Sequence, residues 1–212
     1  SGQICVAGSR ILVQRSLAER FIRQFIERTN ALKVGDPFDA DTEIGPVSDR
    51  AHCERILVAV TRAQAEGAAL LCGGEGMDIA GGYFIAPTVL QVESNALALC
   101  QEEIFGPVAS VQIFDEDDEA IAIANDSRFG LVGYGWTESI GRAQLLQRRL
   151  DAGSLWINTT VARDLRAPFG GFKQSGIGRD GPRHAAQFFT EEKSTIVAIG
   201  DTPIRKMGLL EH

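Results

Sequence analysis

No apolar run in the 212 residues approaches the roughly 20 that a membrane-spanning helix needs. Positive charge is scarce too. The longest basic stretch is "QRR" (147–149), and Asp plus Glu outnumber Lys plus Arg by 28 to 21, giving a net charge of −7. A surface built to hold nucleic acid is therefore not expected. The opening "SGQICVAGSR" has neither the basic start nor the long apolar stretch of a signal peptide. Cysteine is sparse: Cys5, Cys53, Cys72 and Cys100 form no C-x-x-C pair, and the nearest two are 19 apart. With only three histidines, one of them the last residue, a zinc site is not expected. Unpaired thiols in an acidic domain of this size point to the cytoplasm. The terminal "LLEH" reads as a tag remnant, so His212 is set aside.

What is present is ordinary for a soluble domain: 44% hydrophobic and 23% charged residues, in a chain long enough to bury a real core. No linker divides it, so residues 1–199 are expected to form one domain and 200–212 a tail. Strand-like and helix-like segments alternate. "RILVQ" (10–14) is a strand pattern, and Ser16 with Glu19 is a capping-box signal for a helix over 17–32. A second helix is expected from Ser48 to Gly67, a left-handed terminator. "AALLCGG" (68–74), "YFIAPTVLQV" (83–92), "VASVQIF" (108–114), "LVGYGWT" (131–137), "SLWIN" (154–158) and "STIVAI" (194–199) read as strands. Pro87 points to an edge position for the second of these. Acidic residues open a helix after 115, and another runs from Ser139 to Leu150. This alternation predicts an α/β fold with a mainly parallel sheet. The glycine-rich stretch 160–182 lacks periodicity and is long enough to suggest a functional loop.

Four local motifs carry candidate chemistry, each beside a plainer reading. "GIGRDG" (176–181) matches a dinucleotide fingerprint, but that cradle needs a strand before it and a helix opening at its end. "PFGGFKQS" before it is not a strand pattern, which favours a tight backbone loop. Cys5 is a small apolar residue or a nucleophile. A free thiol is only a few per cent thiolate at neutral pH, so the second role needs an activating setting. Gly2, Gln3 and Gly8 would let amide N–H groups face a developing oxyanion, whereas His52 is too isolated to be assigned as partner. "QEEIFGPV" (101–108) is a charged loop, or a carboxylate for ribose hydroxyls with Phe105 as a platform for a planar ring. "RDLRAPFGG" (163–171) offers two solvated arginines, or a fork for a carboxylate-bearing ligand.

Read in order, "GQIC", "AGSRILVQ", "VGDP", "IGPVSD", "GGYFIAPTVL", "EEIFGPV", "NDSRFGL", "GSLWIN", "PFGGFKQSGIGRDG" and "FFTEEKSTIV" resemble the catalytic half of the NAD(P)-dependent aldehyde dehydrogenase superfamily, from residue 2 to about 199. The "RDLRAPFGG" loop resembles the branch that oxidises hydroxymuconic-type semialdehydes. The resemblance implies a twisted, mainly parallel sheet with helices on both faces. It implies that Cys5 is the nucleophile, attacking a small aldehyde to give a thiohemiacetal and then a thioester, and that NAD or NADP is the cofactor. Glu103 and Phe105 match positions that hold the nicotinamide ribose and the nicotinamide. Asn158 lies in the strand leading to the substrate loop, and Arg163, with Arg166, implies an acidic substrate.

The family's dinucleotide fold, general-base glutamate and oxyanion asparagine precede the cysteine. The chain therefore resembles a catalytic domain that would be inert alone with NAD, its Cys5 loop poorly held. "STIVAI" resembles the segment that joins a neighbouring subunit's sheet, implying a homo-oligomer. Two other classes remain open at this point: a thiol-dependent esterase, and a non-enzymatic binding or assembly module of the same fold.

Overall fold

The short β-branched run at 10–14 pairs with a second apolar run a hundred residues later, and the sheet grows from that pairing. The computed structural model describes residues 1–201. Its elements, in chain order, are β1 (Arg10–Gln14), α1 (Arg15–Ala31), α2 (Arg50–Ala65), β2 (Ala69–Cys72), β3 (Gly76–Met77), β4 (Phe84–Ile85), β5 (Thr88–Gln91), α3 (Ala98–Gln101), β6 (Val108–Phe114), α4 (Asp117–Asn125), β7 (Phe129–Gly130), β8 (Val132–Gly135), α5 (Ile140–Arg149), β9 (Ser154–Ile157), β10 (Phe172–Lys173) and α6 (Pro182–Phe189). The fold is α/β.

The main sheet has the order β1-β6-β5-β2. β6 pairs in parallel with both β1 and β5, and only β2 joins antiparallel. β8 and β9 form a separate parallel pair, while β3–β4 and β7–β10 are two-residue antiparallel ribbons. Side chains alternate across a strand, so one strand serves two cores. On one face Leu90 and Val108 pack with Ile56, Val60 and Ala63 of α2. On the other, Val89 and Val111 pack with Val13 and Ala18, and with Ile22 and Phe25 of α1. Helices thus cover both faces.

Several expectations are corrected. The capping box does not form. α1 starts at Arg15 with Gln14 as its cap and no side-chain cap bond, and the Ser16 hydroxyl lies 3.4 Å from Gln14 Oε1. The run 83–92 is two strands. Pro87 has no N–H for the ladder, so β4 ends before it and pairs with β3, while β5 starts after it. β5 is then an interior strand, not an edge, flanked by β6 and β2. "STIVAI" forms no strand: it pairs with no described strand, and Ile196 and Ile199 are 94% and 97% exposed. The stretch after 160 contains β10, a bridge between Phe169 and Asp180, and then α6, which periodicity did not reveal. Gly67 terminates α2 with φ +101, as expected. The tail beyond residue 201, with its tag-like end, lies outside the described residues.

Candidate active site

Cys5 is exposed, and the segment around it is tied to the rest of the chain at four points. Gly2 has φ +72, and a Cβ there would stand 2.2 Å from the Gly106 carbonyl oxygen. Only glycine allows this approach. The Gln3 amide brackets Ser48: its oxygen accepts from the Ser48 N–H at 3.0 Å, and its nitrogen donates to the Ser48 hydroxyl at 3.2 Å. The Tyr134 hydroxyl donates to the Val6 carbonyl at 2.7 Å. The Ser9 carbonyl accepts from the Ser110 N–H at 2.9 Å, which leads the chain into β1. A tight turn closes between Ile4 and Ala7, with the Ala7 N–H bonded to the Ile4 carbonyl at 2.9 Å. The expectation of a poorly held loop is therefore corrected.

Beside this segment lies the loop before β6. Glu102 is ion-paired with Arg62 at 2.8 Å, whereas Glu103 is exposed with no partner among the described residues. Phe105 sits in the left-handed region, φ 55, with its ring 37% exposed. That conformation is strained for a bulky residue and persists only where its surroundings fix it. Its carbonyl is taken by His52 Nε2 at 2.7 Å. Arg55 donates to His52 Nδ1 at 2.8 Å. A guanidinium only donates, so Nδ1 is the acceptor and the ring proton sits on Nε2. His52 is buried near the start of α2, whose Asp49 cap accepts the His52 N–H at 2.8 Å. That bond and the Ser48 hydroxyl hold the Asp49 carboxyl below the usual range.

On the other side stands an aromatic wall. Tyr134 stacks between Trp156, at 5.3 Å between ring centres, and Trp136, at 6.0 Å. Burial pushes the Tyr134 phenol up, and the neighbouring Cys5 thiol, when ionised, adds to that push. Trp156 Nε1 donates to the Ala162 carbonyl at 2.7 Å and so anchors the loop that carries the arginines.

The remaining site residues separate in role. Asn158, φ 56, accepts the Thr137 N–H and donates to the Thr137 carbonyl, each at 2.8 Å. Its amide is thus committed to the backbone that leaves β8. Arg166 grips Asp164 through Nε and Nη2 at 2.9 and 2.7 Å, so its charge is neutralised two residues away. Arg163 lies over the Phe169 ring at 5.2 Å and has no carboxylate partner among the described residues. "GIGRDG" does open a helix, since α6 starts at Pro182. However, the strand before it, β10, belongs to an antiparallel ribbon, so the βαβ setting of a dinucleotide cradle is missing there.

Sequence reasoning missed Arg55, Tyr134 and Trp156, and it named Gln3 and His52 without the contacts they make to Ser48 and Phe105. The helix expected from Ser48 starts with Asp49 as its cap, but no local signal says which loop the His52 ring reaches. The other three cysteines are less exposed than Cys5. Burial pushes the Cys53, Cys72 and Cys100 thiols up.

The chain matches the aldehyde dehydrogenase family from residue 1 to 195. It is 43% identical over 203 residues to 2-aminomuconic semialdehyde dehydrogenase of Danio rerio, covering 92% of this chain and 42% of that protein. It is 40% identical over 200 residues to betaine aldehyde dehydrogenase of Cereibacter sphaeroides, covering 94% and 41%. Among solved structures it matches betaine aldehyde dehydrogenase from Staphylococcus aureus in complex with NAD+, with TM-score 0.86 and 42% identity over 89% of this chain and 38% of that one. A further structure of that enzyme carries a BME-modified cysteine. The chain spans about two fifths of the length of the curated relatives it matches. On the extent of the match and on the ordered motifs, this chain belongs to the aldehyde dehydrogenase family.

Proposed function

We propose that this chain supplies the nucleophile and part of the cofactor and substrate surfaces of an enzyme that oxidises an aldehyde to a carboxylic acid with NAD or NADP. The observation that carries this is Cys5: an exposed thiol on a segment fixed at both ends, between the Phe105 loop and the Tyr134–Trp156 wall. The residues present fit a nicotinamide ribose. Glu103 is a free carboxylate able to accept from hydroxyls, and Phe105 two residues on offers a half-exposed flat ring. When bound, the nicotinamide supplies the acceptor for the hydride that leaves the aldehyde carbon.

The Cys5 sulfur, as thiolate, adds to the aldehyde carbon, forming a C–S bond and placing negative charge on the oxygen. The Cys5 backbone N–H is not engaged by any described residue and donates to that oxygen. Cys5 then holds the acyl group as a thioester until water breaks the C–S bond, releasing the acid and returning the thiol. His52 is not the base for this, since both its ring nitrogens are occupied. That occupancy also weighs against a self-contained thiol esterase. The isolated chain is expected to form no NADH from aldehyde and NAD+. In the whole protein Cys5→Ala lowers aldehyde oxidation by at least about 10⁴-fold. Retained activity in Cys5→Ala would end the proposal.

The substrate is a semialdehyde bearing a carboxylate. The relatives' names include both betaine aldehyde, a cation, and a muconic semialdehyde, an acid. Arg163, without a carboxylate partner, favours the acid and repels the cation. Arg166, already paired with Asp164, contributes little. Arg163→Ala should cost about tenfold in kcat/KM for a semialdehyde acid and leave a neutral aldehyde of equal length unchanged. Equal effects on both would refute this assignment. The exposed Phe188, Phe189, Ile196 and Ile199 support assembly into a homo-oligomer.

A further inference from the structure

Phe105 is held in a backbone conformation that few aromatic residues adopt, and one side chain outside its loop reaches its carbonyl. His52 is 7% exposed and donates its only ring proton to that carbonyl at 2.7 Å. Arg55 fixes that tautomer from the opposite nitrogen at 2.8 Å. The His52 ring also lies 6.5 Å from the Phe105 ring, tilted by 54°, so it limits where the ring can swing. The turn that carries His52 also carries Ser48, the anchor of Gln3, so one helix start sets both the Phe105 loop and the approach to Cys5.

We propose that His52 is a positioning residue for the cofactor face. It holds Phe105 in the left-handed conformation that presents its ring, and Arg55 keeps the required proton on Nε2. This rests on the reading of Phe105 as a nicotinamide platform. Losing one buried hydrogen bond of this kind should weaken cofactor binding several-fold without touching the thiol.

NADH fluorescence titration of the whole protein tests it. Four variants serve: His52→Leu, which removes the donor; His52→Gln, whose amide N–H sits about as far from Cα as Nε2; Arg55→Met; and Phe105→Ala as reference. The expected result is a Kd for NADH about fivefold higher in His52→Leu, equal to wild type in His52→Gln, and about twofold higher in Arg55→Met. The KM for NAD+ should rise with Kd while the rate of Cys5 alkylation stays constant. A purely structural role would lower the unfolding midpoint of both His52 variants and leave NADH affinity unchanged. Wild-type affinity in His52→Leu together with weakened binding in Phe105→Ala overturns the role of His52 alone. Wild-type affinity in Phe105→Ala overturns the platform reading and His52 with it. Should His52→Leu fail to fold, Arg55 is exposed, so Arg55→Met leaves the core intact and its unchanged affinity would overturn the proposal.

Discussion

Residues 10–126 and residues 127–201 are built on opposite terms. The first region holds every buried hydrophobic residue among those described, from Val13 to Ile121, most of them in two cores on the faces of one sheet. The second has two-strand ribbons, three helix turns' worth of α5, a long glycine-rich loop and α6, and it leaves Trp136, Ile140, Leu165 and Phe188 exposed. The first region buries its apolar side chains within the chain; the second leaves much of its apolar surface open. The Cys5 segment is strapped to both, through Gly2, Gln3 and Ser9 on one side and Val6 on the other. The position of Cys5 thus depends on a well-packed region and on a weakly packed one.

The largest expected effect breaks the well-packed side. Leu90 is fully buried in the first core, so Leu90→Ala should lower unfolding stability by about 3–4 kcal/mol, read by chemical denaturation. Next comes the strap to that side. Gly2→Ala forces a methyl group into the Gly106 carbonyl and displaces Cys5, and a shift of that kind should cost about 100-fold in kcat/KM. The strap to the weaker side is a single hydroxyl. Tyr134→Phe removes its bond to Val6 and should cost about tenfold in kcat/KM with little change in unfolding midpoint.

Alkaline pH sharpens the contrast. Burial raises the Cys53, Cys72 and Cys100 thiols above their unfolded values, so the folded state binds more protons. The stability this gives is full below the ordinary thiol pKa of about 8.5 and is lost as pH rises through the folded values. No cysteine lies after residue 100, so this loss reports on the first region alone. Cys100→Ala should flatten the fall in unfolding midpoint above that pH, and an unaltered slope would argue against it. The smallest effect belongs to Phe188→Ala, 82% exposed on α6, which should change the stability of the isolated chain by less than about 0.5 kcal/mol.

The same divide explains what the sequence could reveal. β1 and β6 stand where the β-branched runs placed them, and Ser139 caps α5 as the pattern required, accepting the Arg142 N–H at 3.3 Å. Those signals are local, and the burial that enforces them lies within the chain. "STIVAI" has the same composition as a strand, but a strand is completed by its partner, and it pairs with none among the described residues. In the sequence Pro87 points to an edge strand; the break it makes between β4 and β5, and the interior place of β5, follow only from the ladder on either side of β5. For the site, Cys5, Glu103 and Phe105 rest on ordered motifs. The partner of Arg166 stood two residues away in Asp164. The long-range contacts were illegible: His52 with Phe105, 53 residues apart, and Tyr134 with Val6, 128 apart.

The central claim, that Cys5 carries the acyl group, is tested most directly by rapid quenching of the whole protein during aldehyde turnover, followed by peptide mass spectrometry. The account predicts an acyl mass on the peptide containing Cys5, labile to hydroxylamine, with Cys53, Cys72 and Cys100 unmodified. Steady acid formation with no adduct on Cys5, or an adduct on one of the other three thiols, would contradict it.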